Sequence, residues 1–117
     1  MRKVVRIGDK EYSMKSSAYT QFKYKNDTGR KLLDDINKIS KMSSSDTDGA
    51  MELTDELIDL LLKMAYIMIE EADEKQVTKY DDFLKGVEVI FDTEWMSNVL
   101  ECAIAPFQGG IQKNPQT

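Results

Sequence analysis

The chain contains no histidine, which removes the side chain that most readily gains or loses a proton near neutral pH. Histidine-based nucleophile triads and histidine metal sites go with it. There is one cysteine, Cys102, so no internal disulfide can form, in keeping with a reducing cytoplasm. A small apolar helix residue is the simpler reading of Cys102 than a reactive thiol. Long apolar runs are also missing. Arg2, Lys3 and Arg6 are not followed by one, so no signal peptide is expected, and the most apolar later stretch is too short to cross a bilayer. No Gly-rich loop with a lysine stands between a strand and a helix, and Gly109-Gly110 comes after the last helical pattern. The acidic neighbours Asp34-Asp35, Glu70-Glu71 and Asp81-Asp82 diverge by about 100° on a helix, which suits solvated faces better than a shared substrate. A non-enzymatic chain without cofactor or metal is the expectation.

What is present is helix. With 117 residues, 41% of them apolar and 32% charged, the composition fits one mainly α-helical domain with a real core. The expected architecture is a small amino-terminal β-hairpin followed by about five helices. Residues 1–107 form the domain, with the hairpin in 1–16, and 108–117 form a polar, disordered tail.

The hairpin reads from alternation. Val5, Ile7, Tyr12 and Met14 can share one face, and Gly8-Asp9 makes a two-residue turn with glycine where a positive φ is needed. Such a pair of strands is marginal alone and must lie on something apolar. Ser16 or Ser17 can then cap a helix with Ala18, Tyr19, Phe22 and Asn26 inward, ended by Gly29 in the left-handed conformation. Leu32, Leu33, Ile36 and Ile39 follow at helical spacing.

Further along, Thr54 starts a helix in which only Asp59 and Lys63 interrupt the apolar stretch Leu57 to Ile69. A helix apolar nearly all round either threads the core or leaves a face for another chain, with Leu61, Met64 and Met68 as that face. Thr78 and Asp81 suggest a capping box ahead of the stripe Tyr80, Phe83, Leu84, Val87, Ile90 and Phe91. Asp92-Thr93 can cap once more, Trp95 anchors the core, and Pro106 stops the last helix.

Charge is divided along the chain. Residues 1–41 hold 11 basic and 5 acidic side chains, while residues 42–117 hold 5 and 16. The two parts either attract one another within the fold or offer different faces to different partners. There is no Arg-rich helix, RNA-binding aromatic motif or zinc module, so nucleic acid is not an expected partner.

Gly8-Asp9-Lys10-Glu11-Tyr12, Phe22, Thr28-Gly29 and Lys31-Leu32-Leu33 follow in an order that resembles the small tail assembly chaperones of long-tailed bacteriophages. The resemblance covers roughly the first third of the chain, and beyond it extends only to helix content and length. It implies a protein of a phage or prophage of Gram-positive type, working in the host cytoplasm and absent from the mature virion. It would coat the helical tape measure protein, and a longer frameshifted form would recruit tail tube subunits. Binding would be reversible and helix on helix, by a monomer or a homo-oligomer. Gln112-Lys113-Asn114 can be encoded by an A-rich slippery heptamer, though synonymous codons spell it without slippage. Leu61, Met64 and Met68, with Tyr19 and Phe22, are the partner-binding candidates, and these come from periodicity rather than from the family.

Two other readings stay open. Asp46, Asp48 and Gly49 stand where a calcium-binding EF-hand loop has its third, fifth and sixth residues, and Asp46, Asp48, Glu52 and Asp55 would be the ligands. Ser44 and Asp55 are poor substitutes for the carboxylates at the two ends, and a Ser/Asp/Gly linker has the same composition. A head–tail connector or tail terminator is the third reading.

Overall fold

The computed structural model describes residues 1–44, 55–88 and 92–112. The chain is mainly helical, with an amino-terminal two-stranded antiparallel hairpin followed by five helices. Strands β1 (Arg2–Ile7) and β2 (Lys10–Lys15) pair with Val5 opposite Tyr12 and Ile7 opposite Lys10. That register puts Val5, Ile7, Tyr12 and Met14 on one buried face, as the alternation requires. Gly8 has φ +68°, and a Cβ there would lie 2.8 Å from the Gly86 carbonyl oxygen, so the turn needs glycine for two separate reasons. On the outer edge of β2 the Gln76 amide takes the place of a third strand. Its Oε1 accepts from the Ser13 N–H at 2.8 Å, and its Nε2 donates to the Ser13 carbonyl at 3.0 Å.

Helix α1 (Ala18–Thr28) starts at Ser17, whose backbone is extended and whose hydroxyl accepts from the Tyr19 N–H. Thr20 completes a capping box by accepting from the Ser17 N–H at 2.8 Å. Gly29, with φ +75°, ends the helix, its N–H donating to the Lys25 carbonyl. Helix α2 (Leu32–Ser44) follows, its stripe of Leu32, Ile36 and Ile39 buried.

Helix α3 (Asp55–Ala72) runs through the middle, packed on β2, α1 and the two later helices. It opens with Asp55 and Glu56 at the positive end of its dipole. A short 3-10 turn (Glu74–Gln76) leads to α4 (Tyr80–Lys85) and α5 (Thr93–Gln112). The hairpin's apolar face, α3 and α5 close over Trp95, Val99, Cys102 and Ala103.

The carboxyl-terminal half departs from expectation at three points. No capping box forms at Thr78: α4 starts from Lys79 without a side-chain cap, and the Thr78 hydroxyl reaches Asp82 at 3.5 Å. The stripe expected to run as one helix from Tyr80 to Phe91 stops after six residues, because Gly86 favours the close and its N–H turns back to the Phe83 carbonyl. Ile90 and Phe91 lie outside the described residues. The Asp92 carboxylate then accepts from the Glu94 N–H at 2.9 Å and starts α5 afresh.

The third departure is at Pro106, which lies inside α5 and does not end it. A proline there forfeits one backbone bond, but Val99, Cys102 and Ala103 are locked in the core before it and Phe107 packs back on the core after it. The boundary placed at residue 107 therefore falls within a helix that continues to Gln112, and residues 113–117 lie outside the described residues. Among the described residues no helix is long and apolar enough to cross a membrane.

Candidate functional site

Surface and core divide the candidate residues cleanly. Leu61, Met64 and Met68 are buried, Met68 completely, among the nine buried side chains of α3. The face expected to wait for another chain is thus spent on this one, because the hairpin, α1 and α5 pack against it. Lys63 and Tyr66, on its less buried side, meet α4: the Lys63 ammonium lies 5.4 Å from the centre of the Tyr80 ring, and Tyr66 meets Tyr80 edge-on at 5.3 Å.

Tyr19 and Phe22 belong to the exposed apolar surface, together with Met1, Val4 and Leu33. They are 51% and 64% exposed, with ring centroids 6.0 Å apart, on the outer side of α1. The inward direction expected for them is therefore reversed. The buried side chains of α1 are Thr20 and Tyr24, one turn apart, and both are polar. The Thr20 and Ser17 hydroxyls donate to Glu71 of α3 and so tie down the start of α1.

Tyr24 fixes its other end. Its hydroxyl donates to Asp35 Oδ2 at 2.6 Å, and Arg30 closes the same carboxylate in a fork, Nε to Oδ2 and Nη2 to Oδ1, each at 2.8 Å. Asp35 is 3% exposed and far from the solvated acid that its pairing with Asp34 suggested. Burial alone would raise its carboxyl, but the hydrogen bonds from Arg30 and Tyr24 and the guanidinium charge outweigh this and hold it below the ordinary value. The Tyr24 phenol is driven well above its ordinary value by burial first and by its bond to Asp35 second. With both ends pinned by polar contacts, α1 has a fixed rotation, and that rotation turns Tyr19 and Phe22 outward.

The divided charge is partly an internal matter. Lys3 pairs with Glu101, and Lys38 and Arg30 reach Glu56, so the basic first part and the acidic remainder meet in ion pairs. Cys102 is fully buried beside the Ser16 hydroxyl, 3.6 Å away, and burial pushes its thiol up. This is the environment of a packed apolar residue.

Asp46, Asp48 and Glu52 lie outside the described residues, and Asp55 is the exposed first residue of α3. Among the described residues no three histidine, cysteine or acidic side chains are grouped to hold a metal ion. Comparison with protein-family models, with curated proteins and with solved structures finds no match to this chain.

The Tyr24–Asp35–Arg30 cluster escaped the sequence reading because its members come from two helices and the turn between them. The available signal was the polar residue Thr20 set one turn from Tyr24, with Asp35 at helical spacing from Leu32 and Ile39.

Proposed function

We propose that this protein is a non-enzymatic binding protein, a tail assembly chaperone of a long-tailed phage or prophage that holds helical segments of the tape measure protein while the tail assembles. A longer frameshifted form would bring tail tube subunits to that complex. The observation that carries the reading is the outward aromatic pair Tyr19 and Phe22 on a helix whose opposite side is held by buried polar contacts. Large aromatic side chains exposed together on a rigid helix suit reversible helix-on-helix binding. The resemblance supplies the identity of the partner; of the three parts that carry it, α1 packs on α2, while the hairpin packs on α3 and α5.

The test is co-expression with the tape measure protein of the same gene cluster, followed by affinity capture. The wild-type chain should retain the tape measure protein, and Tyr19→Asp/Phe22→Asp should release it while keeping its circular dichroism and melting temperature. Undiminished capture by the folded double variant, or stoichiometric retention of the protein in mature virions, refutes the reading.

A further inference from the structure

Around the helix from Phe22, the Gln21 and Lys25 side of α1 borders a groove shared with the start of α2 and the end of α5. Its volume is about 320 Å³, and Leu32, Leu33, Phe107, Lys25 and Lys31 line it together with Gln21 and Asp34. The Leu-Leu pair is split by this groove. Leu32 is buried in the core, while its neighbour Leu33 stays 43% exposed on the groove wall opposite the half-buried Phe107.

Among the described residues, no carboxylate lies within ion-pair distance of the cations at the rim. Lys3, Arg6, Lys23, Arg30 and Lys38 form ion pairs within the chain, whereas among the described residues Lys25 and Lys31 form none, as is also true of Arg2, Lys10, Lys15, Lys75, Lys79 and Lys85. Asp34 is the one acid among the lining residues and leaves the rim net positive. This is a local positive site on a molecule whose net charge is −5. Two lysines against one carboxylate at the rim attract a segment bordered by Asp or Glu.

We propose that the groove between α1, α2 and α5 receives an amphipathic helical segment of a partner protein whose apolar stripe is bordered by Asp or Glu. Its apolar side chains lie on Leu33 and Phe107, and its carboxylates meet Lys25 and Lys31. This rests on the reading of the protein as a binder of helical segments, but on residues that the reading does not use.

The test employs two designed amphipathic helical peptides with identical leucine stripes, one bordered by Glu and the other by Lys, titrated into the full-length protein by fluorescence anisotropy. The Glu-bordered peptide should bind more tightly, and less so as salt is added. Lys25→Glu/Lys31→Glu should weaken it by about tenfold or more and strengthen the Lys-bordered peptide, since like charges brought together oppose binding. Leu33→Asp should weaken both peptides, and amide shifts in the wild type should centre on Leu33 and Phe107. All three positions lie on the surface or its edge, so the variants should melt like the wild type.

Equal affinity for the two peptides, or indifference to the double charge reversal, overturns the groove. So does a Leu33→Asp variant that changes only the self-association of the chain, which would make a second copy the occupant. Loss of tape measure capture in Tyr19→Asp/Phe22→Asp with no response to Lys25→Glu/Lys31→Glu would sink the groove alone. The opposite pattern would leave the groove standing and remove the aromatic face.

Discussion

Helices α1 and α3 are built inside out with respect to each other. Helix α3 turns leucine, isoleucine and methionine to the core from nearly every direction, whereas α1 buries Thr20 and Tyr24 and shows its phenylalanine to water. Their neighbours explain this. Helix α3 lies in the centre and packs against β2, α1, α4, α5 and the 3-10 turn, so burial of apolar area decides its orientation. Helix α1 lies on the outside, and its rotation is decided by two polar anchors, Glu71 at one end and Asp35 at the other. A few charged hydrogen bonds at buried positions can thus overrule the pull of an aromatic ring towards the core.

The largest effect should come from Met68→Asp. Loss of a fully buried methionine costs about 2–5 kcal/mol even before a charge is placed there, so the chain should fail to fold cooperatively when followed by thermal melting. A folded Met68→Asp protein would show that α3 is not the enclosed helix described above.

Asp35→Ala should rank second. It leaves the buried Tyr24 hydroxyl unpaired and frees Arg30, at a cost of about 3 kcal/mol in urea unfolding. The same carboxylate gives the fold a pH dependence. Because its folded value lies below the ordinary 3.8, its contribution is complete above that value and fades as the pH falls through the lowered one. The buried Tyr24 phenol acts at the other limit: its contribution is complete below its ordinary value of 10.0 and is lost as the pH rises beyond it. Wild-type stability should fall at both limits, and the acid limb should flatten in Asp35→Ala.

Tyr80→Phe should give a smaller change of the opposite sign. The Tyr80 hydroxyl is buried without a hydrogen-bond partner among the described residues, and burial, helped by the nearby Asp59 charge, pushes it up to about 12. Its removal should raise stability by up to about 1 kcal/mol, measured as a higher urea midpoint with an unchanged slope. A loss of stability instead would show that the hydroxyl has a partner the fold does not reveal.

Phe22→Asp should be the mildest, within about 0.5 kcal/mol of wild type in the same assay, since the side chain faces water. Set beside Met68→Asp, it separates the two helices most sharply: one acid destroys the fold and the other leaves it intact. A Phe22→Asp protein that melted well below wild type would mean that α1 buries its aromatic side after all.

Sequence patterning was enough where a single physical requirement dominated a segment. The hairpin was legible because Val5, Ile7, Tyr12 and Met14 alternate about a turn that only glycine closes without strain. The end of α1 at Gly29 and the place of Trp95 were legible for similar reasons. Where two requirements compete, the pattern misled. Tyr19 and Phe22 looked like core by their apolar character, Asp35 looked like surface by its charge, and Pro106 looked like a stop by its missing N–H. Glu71, distant in the chain, settles the first, and the packing of α5 on the core settles the last; Asp35 is settled by Arg30 and Tyr24, near in sequence but brought onto one carboxylate by the turn between α1 and α2.

The order of residues by itself determined that this would be a mostly helical chain with a glycine-closed hairpin, and where α1 ends and α3 begins. Those features depend on turn chemistry, capping and periodicity within a few neighbouring residues. The tertiary structure alone decided which side of α1 meets water, that the methionines of α3 are enclosed, and that Leu33, Phe107 and two lysines meet in one groove. Such outcomes depend on how several elements share one buried volume and on which buried polar group finds a partner, and no local stretch of sequence carries that information.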